Sequence, residues 1–340
     1  MSDPVPSGSP LAFVAGPDDA GVRLDLFLAS KLTLSRAAVR RLLARGVVRV
    51  DDRPAFAGAK GLLLGAGMRV DVTAFTPPGL LAPPPEPEVE LHVLAQGPGW
   101  LAVDKPAGVP VHPLAEGERA TLLGAVVARH PEIVGVGEGG LRSGVVHRLD
   151  VDTSGVVLFA TGAPTWDRLR GAFRAHRVEK RYRAIARGRL PGSGRCELML
   201  AVTQHRPARV RVVGAAEAES LPGARRTRMS WRTLEALPAA TLVEVTLETG
   251  FLHQIRASFA DLGHPLVGDA FYGVNQEPEP PGRAPRQMLH AASVRVDEVD
   301  AESPDPPDFT ETLARLRAEA ASERLRAEAP AARLREDEWS

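Results

Sequence analysis

The densest group of reactive side chains in the sequence lies within residues 144–160, between two short apolar runs. Its polar members are His147, Arg148, Asp150, Asp152, Thr153 and Ser154. The valine-rich runs on either side are typical of buried strands. Polar groups between buried strands destabilise a fold unless each has a partner. We therefore expect a functional site in a loop at the end of a sheet.

Two simpler interpretations of this segment compete with a catalytic site. Aspartate, serine, threonine and glycine are ordinary turn formers, so Asp150 or Asp152 could close an Asx-turn. The Asp-x-Asp spacing also suits a pair of Mg²⁺ ligands. The segment by itself leaves these alternatives open.

Residues 147–155 read His-Arg-Leu-Asp-Val-Asp-Thr-Ser-Gly and resemble the HRLDxxTSG signature of RNA pseudouridine synthases related to the RluA and RluD enzymes. Five further blocks match that family in its own order, at residues 104–113, 180–184, 250–256, 264–273 and 289–291. The resemblance therefore extends over about residues 89–296.

The resemblance implies a defined reaction, in which the C1′–N1 bond of a uridine breaks and the rotated base rejoins through C5. This isomerisation needs no external cofactor. Asp150 matches the family's essential carboxylate, Tyr182 its base-packing tyrosine and general acid or base, and Arg256 the partner of the aspartate. An opposed arginine would keep Asp150 ionised. Whether Asp150 attacks C1′, attacks the base or removes a ribose proton stays open.

Substrate-binding roles follow from the same resemblance. Arg148 matches an arginine that enters the RNA stack as the target base flips out, because a guanidinium can both stack and bind phosphate. His147, Thr153 and His253 match further substrate-binding positions. The flipped base itself needs a surface that holds a nucleotide out of its helix.

Each catalytic assignment has a plainer structural alternative. Arg148 could form a surface ion pair, Tyr182 could be a core strand residue, and Arg256 could lie on a solvated helix face. Histidines and aspartates recur in the matching blocks, but none has the HExxH spacing, so we predict no metal.

Phe251 is the one departure within the matching blocks, because the family usually has arginine at that position. The lost charge is expected to change how the RNA backbone or the loop is held, without removing activity. Other matching positions are expected to shape the site rather than to react, and they are Lys105, His112, His264 and Asp269.

Composition narrows the class of protein. The 340 residues are 44% hydrophobic and 25% charged, as in ordinary soluble globular proteins. No apolar run is long enough to cross a bilayer, and the first residues lack a secretory-signal pattern. The single cysteine, Cys196, cannot form an internal disulfide, so we expect a reducing cytoplasm. No membrane partner and no obligate protein partner are expected.

The formal net charge is zero, but the charges are segregated along the chain. Residues 165–232 hold seventeen basic and five acidic side chains, and residues 19–73 hold ten and five. Residues 297–340 hold thirteen acidic and six basic side chains. Local fields govern phosphate binding, so we predict RNA contacts at 168–189 and 204–232. Solvated surface arginine is the simpler alternative.

Residues 19–73 resemble the S4 RNA-binding module that often precedes this catalytic domain. The matching residues are Arg23, Leu24, Asp25, Phe27, Leu28, Ser35, Arg36, Gly46, Val48 and Val50. Ser35 is a good N-cap for a helix over Arg36 to Arg45. Arg36, Arg40 and Arg41 share the polar side of that helix and are expected to bind RNA. Asp51 and Asp52 replace the family's usual Asn-Gly turn, which is expected to weaken RNA contact there.

Five segments are expected along the chain: a disordered tail at 1–18, the S4-like α/β domain at 19–73, a proline-rich linker at 74–88, the catalytic domain at 89–300 and a charged, helix-prone tail at 301–340. Short strand-like runs alternate with three helical patterns between residues 89 and 262. The catalytic domain should therefore be α+β with a mixed, largely antiparallel sheet. We expect the tail to be peripheral or partly disordered.

These observations favour a pseudouridine synthase acting on structured RNA, with 23S ribosomal RNA ahead of tRNA. Phe251 and the altered S4 turn keep open a second hypothesis, a non-catalytic RNA-binding or ribosome-assembly protein with the same fold. A metal-dependent hydrolase built on Asp150, Asp152 and histidines is the third, and sensitivity to EDTA would favour it.

Overall fold

The computed structural model describes residues 10–190, 192–205, 207–273 and 284–328. The chain divides into two compact units between Leu81 and Ala82, inside the segment predicted to be a linker. Each unit has a hydrophobic core of its own.

The first unit consists of two helices and a four-stranded antiparallel sheet in the order β1-β4-β2-β3. The elements are β1 (Leu11–Val14), α1 (Leu24–Lys31), α2 (Arg36–Ala44), β2 (Val48–Val50), β3 (Arg53–Ala55) and β4 (Arg69–Val72). Helix α2 starts where its sequence predicts, because the Ser35 hydroxyl accepts a hydrogen bond from the Ala38 amide at 3.2 Å. The apolar faces of both helices cover the sheet through Phe27, Leu28 and Leu43.

The turn between β2 and β3 shows why two aspartates can replace Asn-Gly. Asp51 and Asp52 have φ values of 46° and 62°, the left-handed pair that a tight hairpin turn requires. The Asp51 carboxylate accepts a hydrogen bond from the Arg69 amide at 2.9 Å. That bond keeps the turn geometry although the residue type has changed.

The predicted disordered tail to residue 18 is wrong for residues 10–18. Leu11–Val14 pairs antiparallel with β4, and a 3₁₀ turn follows at Pro17–Asp19. Leu11 and Phe13 pack against the core of the unit, which stabilises the strand despite the surrounding prolines and glycines. Residues 1–9 of that prediction lie outside the described residues.

The second unit is built on a ten-stranded sheet. Its strands are β5 (His92–Gly97), β6 (Trp100–Lys105), β7 (Ser154–Ala160), β8 (Glu179–Arg187), β9 (Ser193–His205), β10 (Ala208–Val212), β11 (Arg225–Ala236), β12 (Ala240–Leu247), β13 (Leu289–Val296) and β14 (Val299–Glu302). Its helices are α3 (Leu122–Arg129), α4 (Ala163–Arg174), α5 (Ala215–Ser220), α6 (Gln254–Asp261) and α7 (Pro307–Glu328).

The sheet order is β10-β9-β11-β12-β8-β13-β7-β6-β5, and β14 pairs with β13. All pairs are antiparallel except that of β13 with β7. The predicted α+β class with a mixed, largely antiparallel sheet is therefore confirmed. The parallel pair places His290 of β13 opposite Ser154, at the end of the loop that carries the reactive cluster.

Strand β7 is buried along its whole length, which explains its continuous apolar sequence. Val156 and Leu158 pack with helix α4 on one face of the sheet. Val157 and Phe159 pack with helix α3 on the other face. A strand enclosed on both sides is a rigid support for the residues that precede it.

The helix-prone C-terminal tail does form a helix, α7, but over the described residues it packs against the core and is not peripheral or disordered as expected. Residues 299–302 form strand β14, and α7 buries Phe309, Leu313, Leu316 and Ala320 against Met288 and neighbouring core residues. The spacing of these four residues, at 4, 3 and 4 positions, gives one apolar helical face. Residues 329–340 lie outside the described residues.

Candidate active site

The loop that carries Asp150 ends where β7 runs closely beside β13. Gly155 has a φ of +112°, and a Cβ built on it would collide with the backbone carbonyl of Ala291. Only glycine allows the two strands to approach this closely with that backbone angle. The close approach fixes the end of the loop only five residues after Asp150.

Asp150 is held by a buried arginine on α6. Arg256 Nη1 donates to Asp150 Oδ2 at 3.1 Å, and the Arg256 side chain is only 4% exposed. The Nε and Nη2 groups of Arg256 donate to the two oxygens of Asp269, at 2.7 and 2.9 Å. Burial lowers the pKa of Arg256, but the two carboxylates outweigh it and raise that pKa above its ordinary value. Arg256 therefore stays charged opposite Asp150.

His253 approaches the same carboxylate from the start of α6. It adopts a left-handed conformation with φ 51°, and its Nε2 lies 3.9 Å from Asp150 Oδ1. The Tyr272 hydroxyl accepts a hydrogen bond from the Val210 amide, so its own proton is free for His253 Nδ1, 3.0 Å away. The ring proton is thereby assigned to Nε2. Burial lowers the pKa of His253 despite Asp150, which keeps the ring neutral.

Tyr182 of β8 lines the cavity beside Asp150. The cavity is about 70 Å³, and its wall includes Arg148, Asp150, Thr153, Tyr182 and Arg256. Burial, with a smaller contribution from Asp150, raises the pKa of the Tyr182 phenol, so it stays protonated at neutral pH. Within the described residues this hydroxyl has no hydrogen-bond partner, and Tyr182 forms part of the cavity wall.

Arg148 extends from the loop toward solvent and lines the small cavity and a larger neighbouring groove of about 570 Å³. The described part of the chain offers its guanidinium no ion pair, so the predicted alternative of a pair with Asp150 or Asp152 is not realised. The groove is strongly basic, since Arg142, Arg170, Arg174 and Lys180 also line it.

The sequence was also compared with protein families and with known proteins. The family model for RNA pseudouridylate synthase matches residues 99–261. An uncharacterized RNA pseudouridine synthase of Mycobacterium bovis is 35% identical over 309 residues, covering 88% of this chain and 96% of its own. Ribosomal large subunit pseudouridine synthase D of Neisseria meningitidis is 32% identical, covering 88% and 80%.

The chain belongs to the RluA/RluD-type family of RNA pseudouridine synthases. The predicted family is thus confirmed, and the protein is an RNA pseudouridine synthase. The fold agrees. Human RNA Pseudouridylate Synthase Domain Containing 1 superposes with a TM-score of 0.53 at 24% identity, covering 69% of this chain and 97% of that one. Domain Containing 4 gives 0.53 at 21%, covering 66% and 93%.

Two predicted substrate-binding residues of the synthase have different surroundings. His147 stacks on Phe173, and its Nε2 accepts a hydrogen bond from the Leu158 amide at 3.0 Å. Burial, helped by Lys180, lowers the pKa of His147 to about 3, so the ring is neutral and tied to β7. Thr153 is buried, and its hydroxyl has no hydrogen-bond partner among the described residues. Thr153 lines the cavity, and this buried hydroxyl is the kind of polar atom that a bound ligand or water commonly satisfies.

The arginines predicted to bind RNA in the first unit are not equivalent. Arg36 Nη2 donates to the buried Asp25 at 3.4 Å, and Arg23 holds the same carboxylate through two hydrogen bonds. Part of the Arg36 charge is therefore neutralised inside the unit. Arg40 and Arg41 are exposed, and no ion pair joins them to the described residues. RNA binding by these residues stays a prediction.

The predicted RNA contacts at residues 204–232 are also divided. Ion pairs engage Arg211 with Glu217, Arg226 with Glu197, Arg228 with Glu248 and Arg232 with Glu244. Arg206 lies outside the described residues. Ion pairs of this kind lower the positive electrostatic potential at the surface to which RNA phosphates would bind. In the groove beside Asp150, Glu138 likewise pairs with Arg142 and Arg170, so Arg148, Arg174 and Lys180 are its stronger candidates for phosphate contacts.

Sequence reasoning assigned Lys105 and Asp269 to shaping the site, and it missed Arg286. Lys105 is fully buried, and its amine donates to the carbonyls of Pro106, Val109 and Val151 at 2.6–2.9 Å. Burial lowers the pKa of Lys105 to about 7. Arg286 lies three residues before the matching block at 289–291 but outside it, although it contacts both Asp152 and Ser154. Only its contacts in the folded structure identify Arg286 as a residue that supports the loop.

No three His, Cys, Asp or Glu side chains are grouped as metal ligands in the described ranges. Among the same residues, no helix has both the length and the apolar character needed to span a membrane.

Proposed function

We propose that this synthase converts specific uridines of 23S ribosomal RNA to pseudouridine, with Asp150 as the reactive carboxylate. The observation that carries the proposal is the Asp150 carboxylate on a cavity wall, held by Arg256 and facing the protonated Tyr182. The relatives named ribosomal large subunit pseudouridine synthase D support ribosomal RNA as the substrate. With such a substrate, we expect the protein to act in the cytoplasm.

The target uridine enters the cavity as a flipped nucleotide. Its C1′–N1 bond breaks, the base rotates and C1′ bonds to C5, while C5 loses its proton and N1 gains one, so atoms and electrons balance without a co-reactant. Arg256 donates a hydrogen bond to the Asp150 carboxylate and holds it in place for its part in this exchange. Because the Tyr182 phenol stays protonated, it acts on the base by packing and by hydrogen-bond donation, not as a base at neutral pH.

The surroundings of the cavity fit an RNA strand. Arg148 is free to take the place that the flipped base leaves in the stack. The basic groove next to it holds the flanking phosphates. Phe251 lines both the cavity and the groove, and it offers a flat ring for stacking where the family usually has a charge. The S4-like unit adds a second RNA contact through Arg40 and Arg41.

The experiment is a map of pseudouridines in ribosomal and transfer RNA from cells that lack the protein, complemented with wild type or Asp150→Asn. We expect at least one 23S position to lose pseudouridine without the protein, to regain it with wild type and to stay unmodified with the variant. Unchanged maps in every strain would contradict the proposal. Loss at tRNA positions alone would replace the ribosomal substrate with tRNA.

Tyr182→Phe separates the role of the hydroxyl from that of the ring. The ring packs with the cores beneath β8, so the variant should keep its unfolding temperature. We expect kcat on a 23S transcript to fall by about tenfold to a hundredfold if the hydroxyl donates to the base. An unchanged kcat would assign Tyr182 to packing alone.

A further inference from the structure

The rear of the loop that carries Asp150 is attached to the C-terminal helix through one arginine. Arg286 Nη1 donates to the Asp152 carbonyl at 3.0 Å, and Nη2 donates to the Ser154 hydroxyl at 3.0 Å. Nη1 also donates to the carbonyls of Gln287 and Leu289. Arg286 is buried and is absent from the walls of the cavity. It therefore contacts the loop without forming part of the cavity wall.

Asp308 fixes the orientation of that arginine. The Nε and Nη2 groups of Arg286 donate to the two oxygens of Asp308, at 2.6 and 3.0 Å. A bidentate pair of this kind sets the plane of the guanidinium as well as its position. All N–H groups of Arg286 then donate hydrogen bonds, so the positions of its Nη atoms relative to the loop are fixed.

Helix α7 gives Asp308 a fixed base. Asp308 lies in the first turn of α7, and the next residue, Phe309, is fully buried in the core of the second unit. A carboxylate in the first turn is also favoured by the helix dipole. The Asp308 carboxylate is thus anchored by the packing of a 22-residue helix.

A second chain of hydrogen bonds holds Ser154 from the β13 side. Because the Ser154 hydroxyl accepts from Arg286, its proton is directed to His290 Nδ1, 2.9 Å away. His290 Nε2 then donates to the Ser303 carbonyl at 3.1 Å. Ser303 follows β14, so both polar contacts of Ser154 lead to the C-terminal segment that follows the main sheet.

We propose that Asp308 and Arg286 are positioning residues for the Asp150 carboxylate, so that the C-terminal helix takes part in catalysis without touching the substrate. The proposal rests on the proposed function of Asp150. A displacement of about 1 Å at a reacting group can lower a rate by about a hundredfold. Loosening Asp152 and Ser154 shifts Asp150 within the same short loop, whereas the groove residues outside the loop, Arg170, Arg174 and Lys180, keep their positions.

The test compares Asp308→Ala with Asp308→Glu and with Glu235→Ala in the full-length protein. Glu235 of β11 accepts hydrogen bonds of 2.6–3.1 Å from Arg317, which lies on α7 nine residues after Asp308. The variant therefore breaks an ion pair of the same helix away from Arg286, which makes it the matched control. Single-turnover kcat and KM are measured on a 23S transcript, and hydrogen exchange is measured on a peptide covering residues 148–156.

For Asp308→Ala we expect kcat to fall by about tenfold to a hundredfold, KM to stay within about twofold and exchange at residues 150–154 to accelerate. Asp308→Glu should regain most of kcat, and Glu235→Ala should match wild type in both readouts. Arg286→Lys keeps a cation without the planar guanidinium. It replaces Asp308→Ala in the test if that variant does not fold, and the same loss of kcat and the same faster exchange are expected.

Unchanged kcat and exchange in a folded Asp308→Ala protein would overturn the proposal, as would an equal loss in Glu235→Ala. A wild-type protein with no activity on any RNA would instead overturn the proposed function. Hydrogen exchange at residues 150–154 would still decide whether Asp308 holds the loop.

Discussion

The two sides of the loop at residues 150–154 differ in how completely their polar groups are satisfied. On the rear side, Arg286, Ser154 and Lys105 are joined to neighbours by hydrogen bonds of 2.6–3.1 Å. On the cavity side, Arg148 and the hydroxyls of Thr153 and Tyr182 have no partner among the described residues. Asp150 lies between the two sets; within the described residues its carboxylate accepts a hydrogen bond from Arg256 alone and lies close to His253.

The difference shows how one loop can be both rigid and reactive. A buried polar group without a partner lowers stability, so a fold keeps such groups where a ligand will satisfy them. Satisfied groups behind the loop supply the stability and the fixed geometry that the cavity side lacks. Substitutions behind the loop should therefore lower stability, and substitutions on the cavity side should lower activity alone.

Arg256→Gln is expected to have the largest effect, because Arg256 binds both the buried Asp269 and the Asp150 carboxylate at the cavity. The variant leaves Asp269 buried without its cation, and it should lower the free energy of unfolding by about 3–5 kcal/mol. It should also lower kcat by about 10²- to 10³-fold, since Asp150 loses the charged donor that holds it. Urea unfolding and single-turnover rates measure the two effects.

The control for Arg256→Gln is Arg295→Gln, which breaks an exposed pair with Asp300 and Glu302. It should change the free energy of unfolding by less than about 1 kcal/mol and leave kcat unchanged. Equal destabilisation by the two variants would show that the buried network is no stronger than a surface pair.

Gly155→Ala tests the rear of the loop through its backbone. Its Cβ would collide with the Ala291 carbonyl, and its φ of +112° disfavours any side chain. We expect the free energy of unfolding to fall by about 2–4 kcal/mol. Gly171→Ala, in the middle of α4 with open space around it, should raise that free energy by about 1 kcal/mol. A neutral Gly155→Ala, measured by urea unfolding, would remove the strand contact as a determinant of loop position.

Thr153→Val tests the cavity side. Because its hydroxyl has no protein partner within the described residues, the free energy of unfolding should be unchanged or higher by up to about 1 kcal/mol. We expect kcat/KM to fall by about tenfold through the lost contact with substrate. The matched variant Thr241→Val loses hydrogen bonds to Gly188 and Leu190, so it should lower stability and spare activity. The opposite pattern would contradict the division between the two sides.

The pH dependence of RNA binding should show the smallest effect. Burial lowers the pKa of Lys180 to about 8, so the amine is charged below that pH and loses its proton above it. RNA affinity should therefore fall by about tenfold between pH 7 and pH 9. Lys180→Arg stays charged and should flatten that decline. An identical decline in the variant would exclude Lys180 as its source.

The sequence predicted the local features of this fold well, because they depend on short-range patterns. Ser35 and the apolar positions of α2 place that helix correctly, and the unbroken run in β7 reads directly as a buried strand. The pairing of Asp150 with Arg256 was predicted only through the resemblance and is present in the structure. It joins residues 106 positions apart, a distance over which no spacing rule operates.

The rest was not predictable because it depends on long-range packing. Arg286 lies in a stretch without periodicity, and its partners at 152, 154 and 308 come together only in the folded chain. The four apolar residues of α7 have helical spacing in the sequence, but the many charged residues between them led us to predict a peripheral or partly disordered tail. Leu11–Val14 could not be recognised as a strand, since its stability comes from pairing with β4, more than fifty residues away.

We propose that Asp150, and not its neighbour Asp152, carries the chemistry. Tritium release from C5 of uridine in a labelled 23S transcript, under single-turnover conditions, measures bond exchange at that carbon. We expect the rate to fall by about 10⁴-fold or more for Asp150→Asn and to stay near wild type for Asp152→Asn, because the Asp152 side chain is exposed and its carbonyl is the group that Arg286 holds. Tritium release by Asp150→Asn at the wild-type rate, or equal losses in the two variants, would show that Asp150 is not the reactive carboxylate.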